Sequence, residues 1–353
     1  MMRIWLRLVS IVFAFGISCP MTSGSATPNA RMWHGCQIGL LHDYYNTDIS
    51  NAPIERNSRI RIASVVAAMN AQDRLRASNS AIPAQGFSDD RGLYPINIAT
   101  TATRLVRVVP AVAWHRRVPS PAPYADSFHI ERGTDAHYFV VETSTAPACR
   151  DYEYYQAAPI DRSGIVQLAA YTGQVLNTRT LERIAADGSP TVVGVNYFPS
   201  AITAEELDAA ARGIPIKHVL NFVSQSYDMC ACFVYPAVPA VVDDYNKGAP
   251  KNDYAIDPLD RELPQGARLR LHAAYTDRSA SAACAVVLNT LKHYGMFFRD
   301  SGSVYDDSNV INTLDYPNST RASDADLRCL HNLRFTDFDV VKFASKVEPA
   351  PPS

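Results

Sequence analysis

Six cysteines, Cys36, Cys149, Cys230, Cys232, Cys284 and Cys329, remain once the amino-terminal stretch is set aside. An even set of this size limits what the chain can fold into more than any other feature. The stretch set aside reads as an export signal. Arg3 and Arg7 accompany an apolar run from Ile4 to Ile17, followed by the small residues Gly24, Ser25 and Ala26. That is the order of basic, apolar and cleavage regions in a secretory signal peptide. The run is shorter than the ~18 residues a stable span needs, and no later segment is apolar enough to cross a membrane. Gly16-Ile17-Ser18-Cys19 adds a lipoprotein variant anchored through Cys19, with Gly where such signals usually carry Leu. The expected organisation is a signal peptide over 1–26, one domain over 27–346 and a disordered tail over 347–353, in a secreted or periplasmic protein.

In such an oxidising compartment some of the six cysteines are expected to pair, and fifteen complete connectivities are open. Cys230 and Cys232 are one residue apart, so a bond between them carries strain, and each is expected to reach elsewhere or stay a thiol. A zinc site at this pair needs two further ligands, and no CxxC or His-x3-His spacing supplies them. No metal or cofactor is expected.

Roughly 325 residues beyond the signal are ample for a core. Tyrosine (18) and proline (23) are plentiful and charged residues are 19% of the chain, a profile that suits a β-rich domain with many turns. The net charge is −2 and the basic residues form no stripe, so nucleic acid is not an expected partner. Glycine-rich phosphate loops, a Gly-x-Ser-x-Gly elbow and His-Glu-x-x-His are all missing from the sequence. Asn318-Ser-Thr is a glycosylation triplet.

Apolar spacing predicts a helix from Ser58 to about Met69. Thr203-Ala-Glu-Glu caps a second helix running to Arg212 and closed by Gly213, and Ser279–Tyr294, with Gly295 at its end, is the third. A short helix follows Ser323. Strands are expected at Arg104–Val109, His137–Glu142, Asp151–Tyr155, Gly164–Leu168, Thr191–Val195, Phe222–Val234, Ala267–Ala274, from Met296, and at Phe338–Phe343. His137–Glu142 and Asp151–Tyr155 read as a hairpin. Along Ala267–Ala274, Arg268, Arg270 and His272 alternate with Leu269, Leu271 and Ala273, predicting one wet and one dry face.

Several islands in this pattern resemble a family of secreted bacterial proteins. Leu263-Pro-Gln-Gly-Ala-Arg-Leu-Arg-Leu, Leu291-Lys-His-Tyr-Gly-Met and Phe298-Arg-Asp-Ser-Gly-Ser are similar to that family's "P-x-G-x-R-x-R-L … L-K-x-Y-G-M-x-x-x-D-x-G-S". Asp337-Phe-Asp-Val-Val resembles its closing "S-D-F-E-V-V". Upstream, Ile130-Glu-Arg-Gly, Asp135-Ala-His-Tyr-Phe-Val-Val, Cys149-Arg-Asp-Tyr-Glu and Ile216-Lys-His-Val-Leu-Asn-Phe match further islands between residues 92 and 343. Family members look like β-sandwich, lectin- or glucanase-like proteins. The resemblance therefore implies an antiparallel, jelly-roll-like β-sandwich with a few peripheral helices (a β-rich α+β fold) and an extracellular location, more than it implies a reaction. Where the family has "W-Y-I-S-G-A-P-D", this chain reads Val304-Tyr-Asp-Asp-Ser-Asn.

Glu131, Asp135, His137 and Glu153 fall in these islands and carry useful chemistry. On neighbouring strands of a hairpin, His137 and Glu153 would sit about 5 Å apart, close enough for a carboxylate to orient the imidazole. Glu131 and Glu153 are the candidate acid/base pair for glycoside hydrolysis, with His137 tuning one of them. Asp135, Tyr155 and His218 are candidate ligand-binding residues, and His218 with the carboxylates would alternatively hold a metal. The tyrosines at 152, 154 and 155 suit sugar stacking and sheet packing equally. The expected partner is an extracellular polymer, a glycan by preference, bound or acted on. The alternative is a non-catalytic envelope or interaction protein.

Overall fold

The computed structural model describes residues 30–73, 87–89, 94–112, 118–133, 135–191, 193–224, 229–238, 261–277, 281–301, 309–311, 313–314 and 326–349. The signal region, Cys19, the Asn318 triplet and Ser323 lie outside them. Within this span the protein is a β-rich α+β chain.

Eleven strands form the two largest sheets. In chain order they are β1 (Phe87–Asp89), β2 (Ile96–Ala99), β3 (Tyr138–Glu142), β4 (Arg150–Tyr155), β5 (Thr172–Asn177) and β6 (Arg183–Asp187). Then come β7 (Leu220–Ser224), β8 (Arg268–Leu271), β9 (Met296–Ser301), β10 (Asn309–Ile311) and β11 (Phe338–Val340). One sheet has the order β6-β5-β4-β3-β2, the other β11-β8-β9-β7-β10-β1. Both are mixed rather than purely antiparallel. β2 runs parallel to β3, and β7 parallel to β9, because each pair is joined by a long crossover instead of a hairpin.

The expected hairpin is present as β3 and β4, with Phe139 opposite Glu153 and Tyr138 opposite Tyr154. Strand alternation then sorts side chains between two faces. Tyr138, Val140, Tyr152, Tyr154 and Val175 enter one apolar cluster. Asp151, Glu153 and Phe139 face the other way, toward Tyr197, Phe198 and Trp33. Tyr152 and Tyr154 are thus core residues; the Tyr154 hydroxyl donates to the Pro119 carbonyl at 2.8 Å.

Among the described residues three α-helices pack around the six-stranded sheet: α1 (Ser58–Asp73), α2 (Ala204–Ala211) and α3 (Ala282–His293). α1 buries Ile62, Val65 and Met69, one face of a 3.6-residue period. In α2, Thr203 and Glu206 form the full capping box read from the sequence. α3 starts at an Ser281 cap. It ends at Gly295, whose φ of +67° and close approach to the Leu269 carbonyl leave no room for a Cβ.

Four local expectations change. Thr191 and residues 193–195 form no strand: the Thr191 hydroxyl accepts from the Val195 amide (3.1 Å) and donates to its carbonyl (2.8 Å); local side-chain bonding overrides β propensity. Arg268 is not on a wet face: it is buried and donates to the carbonyls of Tyr44, Thr47 and Tyr294, while Arg270 serves Ile49, Ser50 and Ala52. The amino-terminal segment covers that face. Glu348–Pro349, within the expected tail, pairs with the strand Met229–Phe233. The short helix expected after Ser323 takes the form, within the described residues, of a 3₁₀ helix over Arg328–Asn332.

The cysteines form three pairs: Cys36–Cys149, Cys284–Cys329 and Cys230–Cys232, with Cα separations of 5.5, 6.0 and 5.0 Å. The last corrects the expectation that Cys230 and Cys232 bond elsewhere or stay thiols; their Cα separation lies within the range that a disulfide spans. Cys36–Cys149 closes a loop of 113 residues in sequence. Its removal in a Cys36→Ser/Cys149→Ser variant is expected to cost about 4 kcal/mol, read by guanidinium denaturation. The shorter Cys284–Cys329 loop should matter less.

Candidate functional site

The strongest concentration of polar side chains lies where the Glu153 face of the five-stranded sheet meets β9 of the other. Its centre is His137, immediately before β3 and buried. Glu131 folds back under it. The Glu131 carboxylate accepts from the His137 backbone N–H at 3.0 Å and lies 2.5 Å from ring Nδ1. The Glu131 N–H in turn donates to the His137 carbonyl at 2.9 Å. Asn97 Nδ2, donating to the carbonyls of His129 and Phe139, latches this loop to the sheet. Gly133 makes room for this carboxylate, since a Cβ would sit 2.7 Å from Glu131 Oε1 and displace it.

With Nδ1–H given to Glu131, His137 Nε2 lies between the Pro190 carbonyl oxygen (3.1 Å) and the Tyr197 hydroxyl (3.4 Å). The Tyr197 hydroxyl donates to Asp300 Oδ2 at 2.8 Å. Burial, ahead of any neighbour, raises this phenol well above its ordinary range, so it stays a donor. The Arg299 guanidinium stacks over the Tyr197 ring and lies 3.6 Å from Asp300. Its Nε donates to Asn221, whose Nδ2 donates to Ser200.

The outer edge of this chain of contacts is half-buried. Tyr155 donates to Asp135 Oδ1 at 3.3 Å, and its ring meets those of His137 and Tyr171. Partial burial raises the Asp135 carboxyl, reinforced by Asp300 and Glu131 and opposed by His137. Glu131, Asp135, His137 and Tyr155 are therefore brought together.

Glu153 is close by but differently employed. It is fully buried, and its two oxygens accept from the amides of Tyr197 (2.8 Å) and Phe198 (2.9 Å). Burial first, then neighbouring Asp151, raises its carboxyl. Asp151 is itself pushed up to about 7 by burial, against a hydrogen bond from Asn196. Glu153 pairs with neither Arg132 nor Arg150, which instead lies 3.7 Å from Glu142. Tyr197 links it to His137, its amide on one and its hydroxyl near the other. Direct contact between Glu131 and Glu153, the expected acid/base pair, does not occur.

His218 belongs to a separate cluster. Its Nε2 lies 3.2 Å from Glu206, which Arg31 holds with two hydrogen bonds (2.9 and 2.8 Å). Arg31 also donates to the carbonyls of Pro199 and Ala201. Burial opposes ionisation of Glu206, but Arg31 and His218 outweigh it and hold the carboxyl well below its ordinary 4.5. Burial, with Arg31 adding to it, lowers His218.

Sequence reasoning missed Tyr197, Arg299 and Asp300. Arg299 and Asp300 sit in the Phe298-Arg-Asp-Ser-Gly island, which carried the signal, and both lie within strand β9. Tyr197 lies in the stretch expected to follow a strand. Among the described residues no three of His, Cys, Asp or Glu are placed to hold a metal ion, and no helix is long and apolar enough to cross a membrane. Comparison of the chain with protein-family models, curated proteins and solved structures found no match.

A carboxyl held low in the folded state stabilises it above its unfolded pKa, and that contribution fades as pH falls. The melting temperature is therefore expected to drop as pH falls below 4.5, and to drop less steeply in Glu206→Gln. At pH 7 the same variant should lose about 3 kcal/mol, since Arg31 is left buried without its carboxylate; urea melts at both pH values check this. Gly133→Ala should shift the His137 imidazole resonances in NMR spectra by displacing Glu131.

Proposed function

We propose that this is an exported carbohydrate-binding protein whose ligand is received at Asp135 and Tyr155. The observation that carries the reading is the half-buried Tyr155–Asp135 pair at the outer edge of an otherwise buried hydrogen-bonded chain. An aromatic face beside a carboxylate acceptor is what a sugar uses, with C–H groups on the ring and hydroxyls donating to the oxygen. Behind it, Glu131, His137, Tyr197 and Asp300 fix the pair's surroundings.

The signal-like amino terminus and the three cysteine pairs support a secreted or periplasmic setting. The sequence islands and the shared face between the two large sheets support a sandwich related to the lectin- and glucanase-like secreted family. Binding is favoured over turnover because Glu131 and Glu153 are buried and already satisfied by donors within the protein. Hydrolysis is the second reading, resting on Asp135, a carboxyl raised beside Asp300. It would assign acid/base work to that pair.

A glycan array with the purified mature protein tests the proposal. One sugar class is expected to bind, with affinity falling at least about tenfold in Tyr155→Ala and in Asp135→Asn while the melting temperature stays within a few degrees. A blank array, or binding that both variants retain, would reassign the chain to an envelope structural or interaction role. Release of product from a bound glycan, lost in Asp135→Asn, would establish the hydrolytic reading.

A further inference from the structure

Beneath Tyr197, on the sheet side of its backbone, lies a set of oxygen atoms that the binding reading does not use. Asp151 and Glu153 are two residues apart on β4 and so project from the same face. Gln174 on β5 is directly opposite Glu153, which places it on that face as well. Asn196 closes the group from the loop side, its Nδ2 donating to Asp151 Oδ2 at 2.7 Å. All four side chains are at most 1% exposed.

Three oxygens of this group, Asp151 Oδ1, Gln174 Oε1 and Asn196 Oδ1, are buried without a hydrogen-bond partner. Buried acceptors are nearly always satisfied, and three orphans in one contiguous cluster need a common explanation. The amide orientation of Asn196 is fixed by its donation to Asp151, so its oxygen is not a swapped nitrogen. Charge makes the same demand. Two carboxylates are adjacent in a dry interior, and among the described residues no lysine or arginine forms an ion pair with either. The charge of Arg299 partly offsets Glu153, but its guanidinium is engaged with Tyr197, Asn221 and Asp300 and forms no ion pair with either carboxylate. The two carboxyls are close enough to hydrogen-bond one another through a shared proton; that proton would neutralise one charge and satisfy one oxygen, leaving both amide oxygens orphaned. A hard cation would answer all of it, because carboxylate and amide carbonyl oxygens are its preferred ligands and it neutralises both charges at once.

We propose that Asp151, Glu153, Gln174 and Asn196 form a buried site for a hard divalent cation of the calcium type. The site holds two carboxylates and two amide oxygens, a donor set suited to calcium and poorly suited to zinc, which selects nitrogen and sulfur. Its position gives it a structural task. Glu153 already receives the amides of Tyr197 and Phe198, so a cation on the same carboxylates ties the 196–198 segment to β4 and sets where the Tyr197 hydroxyl meets His137 and Asp300. The proposal is independent of the carbohydrate reading, since no glycan enters its test.

The test is calorimetric and thermal titration of the chelator-stripped mature protein with CaCl2, MgCl2 and MnCl2, alongside terbium luminescence sensitised by the neighbouring tyrosines. Calcium is expected to raise the melting temperature by about 5 °C or more at saturation. Gln174→Met keeps the volume but removes an oxygen, and should weaken calcium at least about tenfold while remaining folded; Asp151→Asn should weaken it further. The proposal is overturned if none of the three ions shifts the melting temperature or excites terbium emission at millimolar concentration. It is equally overturned if both variants respond like the wild type, which would place the ion elsewhere. A wild type indifferent to cations but stabilised by Asp151→Asn would show that a proton alone bridges the carboxyls.

Discussion

Two successive backbone amides, those of Tyr197 and Phe198, converge on the single carboxylate of Glu153, and the junction between the two large sheets depends on it. The segment that carries these amides has no ladder of its own to hold it. It is bound at one end by Glu153 and Asp151, through Asn196, and at the other by Arg31, which takes the carbonyls of Pro199 and Ala201. Between those anchors the Tyr197 ring projects under Arg299 and its hydroxyl reaches Asp300. The position of every polar group around His137 on that side follows from where this segment is clamped. Buried polar contacts of this kind add little net stability when complete and cost much when broken, so their effect is to select one arrangement over near neighbours.

A second constraint is the loop from Glu131 to His137. Ala136 adopts a φ of +45°, a backbone region costly for a residue with a Cβ. The cost is met by hydrogen bonds on both sides, from Gln156 and Ala157 to the carbonyls of Asp135 and Ala136 and from Glu131 to His137. This unusual turn delivers Asp135 to the edge while sending His137 inward, so that neighbours in sequence have opposite solvent access.

What the sequence made legible was local. Thr203 and Glu206 announce α2, the spacing of Ile62, Val65 and Met69 announces α1, and Gly295 marks the end of α3, because caps and periodicity are written within a few residues. The β3–β4 hairpin was readable for the same reason and put His137 near Glu153, whereas the grouping of Glu131, Asp135, His137 and Glu153 came from the sequence islands; the structure joins Tyr155 to the first three and gives Glu153 to the amides of Tyr197 and Phe198. Strand β5 escaped because Gly173 and Gln174 are poor strand formers; Gly173 belongs there since only a residue without Cβ lies flat against the Tyr154 ring. The pairing of Tyr197 with Asp300 and the burial of Arg268 escaped because both depend on partners more than a hundred residues away. The sequence reading also offered His218 as a partner for the hairpin carboxylates, whereas its partner Glu206 sits on α2.

Arg268 and Arg270 fasten the 44–52 segment across more than two hundred residues of sequence, and the Val340 amide reaches Ser58 Oγ across 282. The earliest part of the core is therefore the last to be completed. A chain with so many distant pairings has high contact order and folds slowly. The 44–52 segment and Ser58 stay without these partners until almost the entire polypeptide is present, so this part of the core closes only after residues 268–270 and 340 are in place.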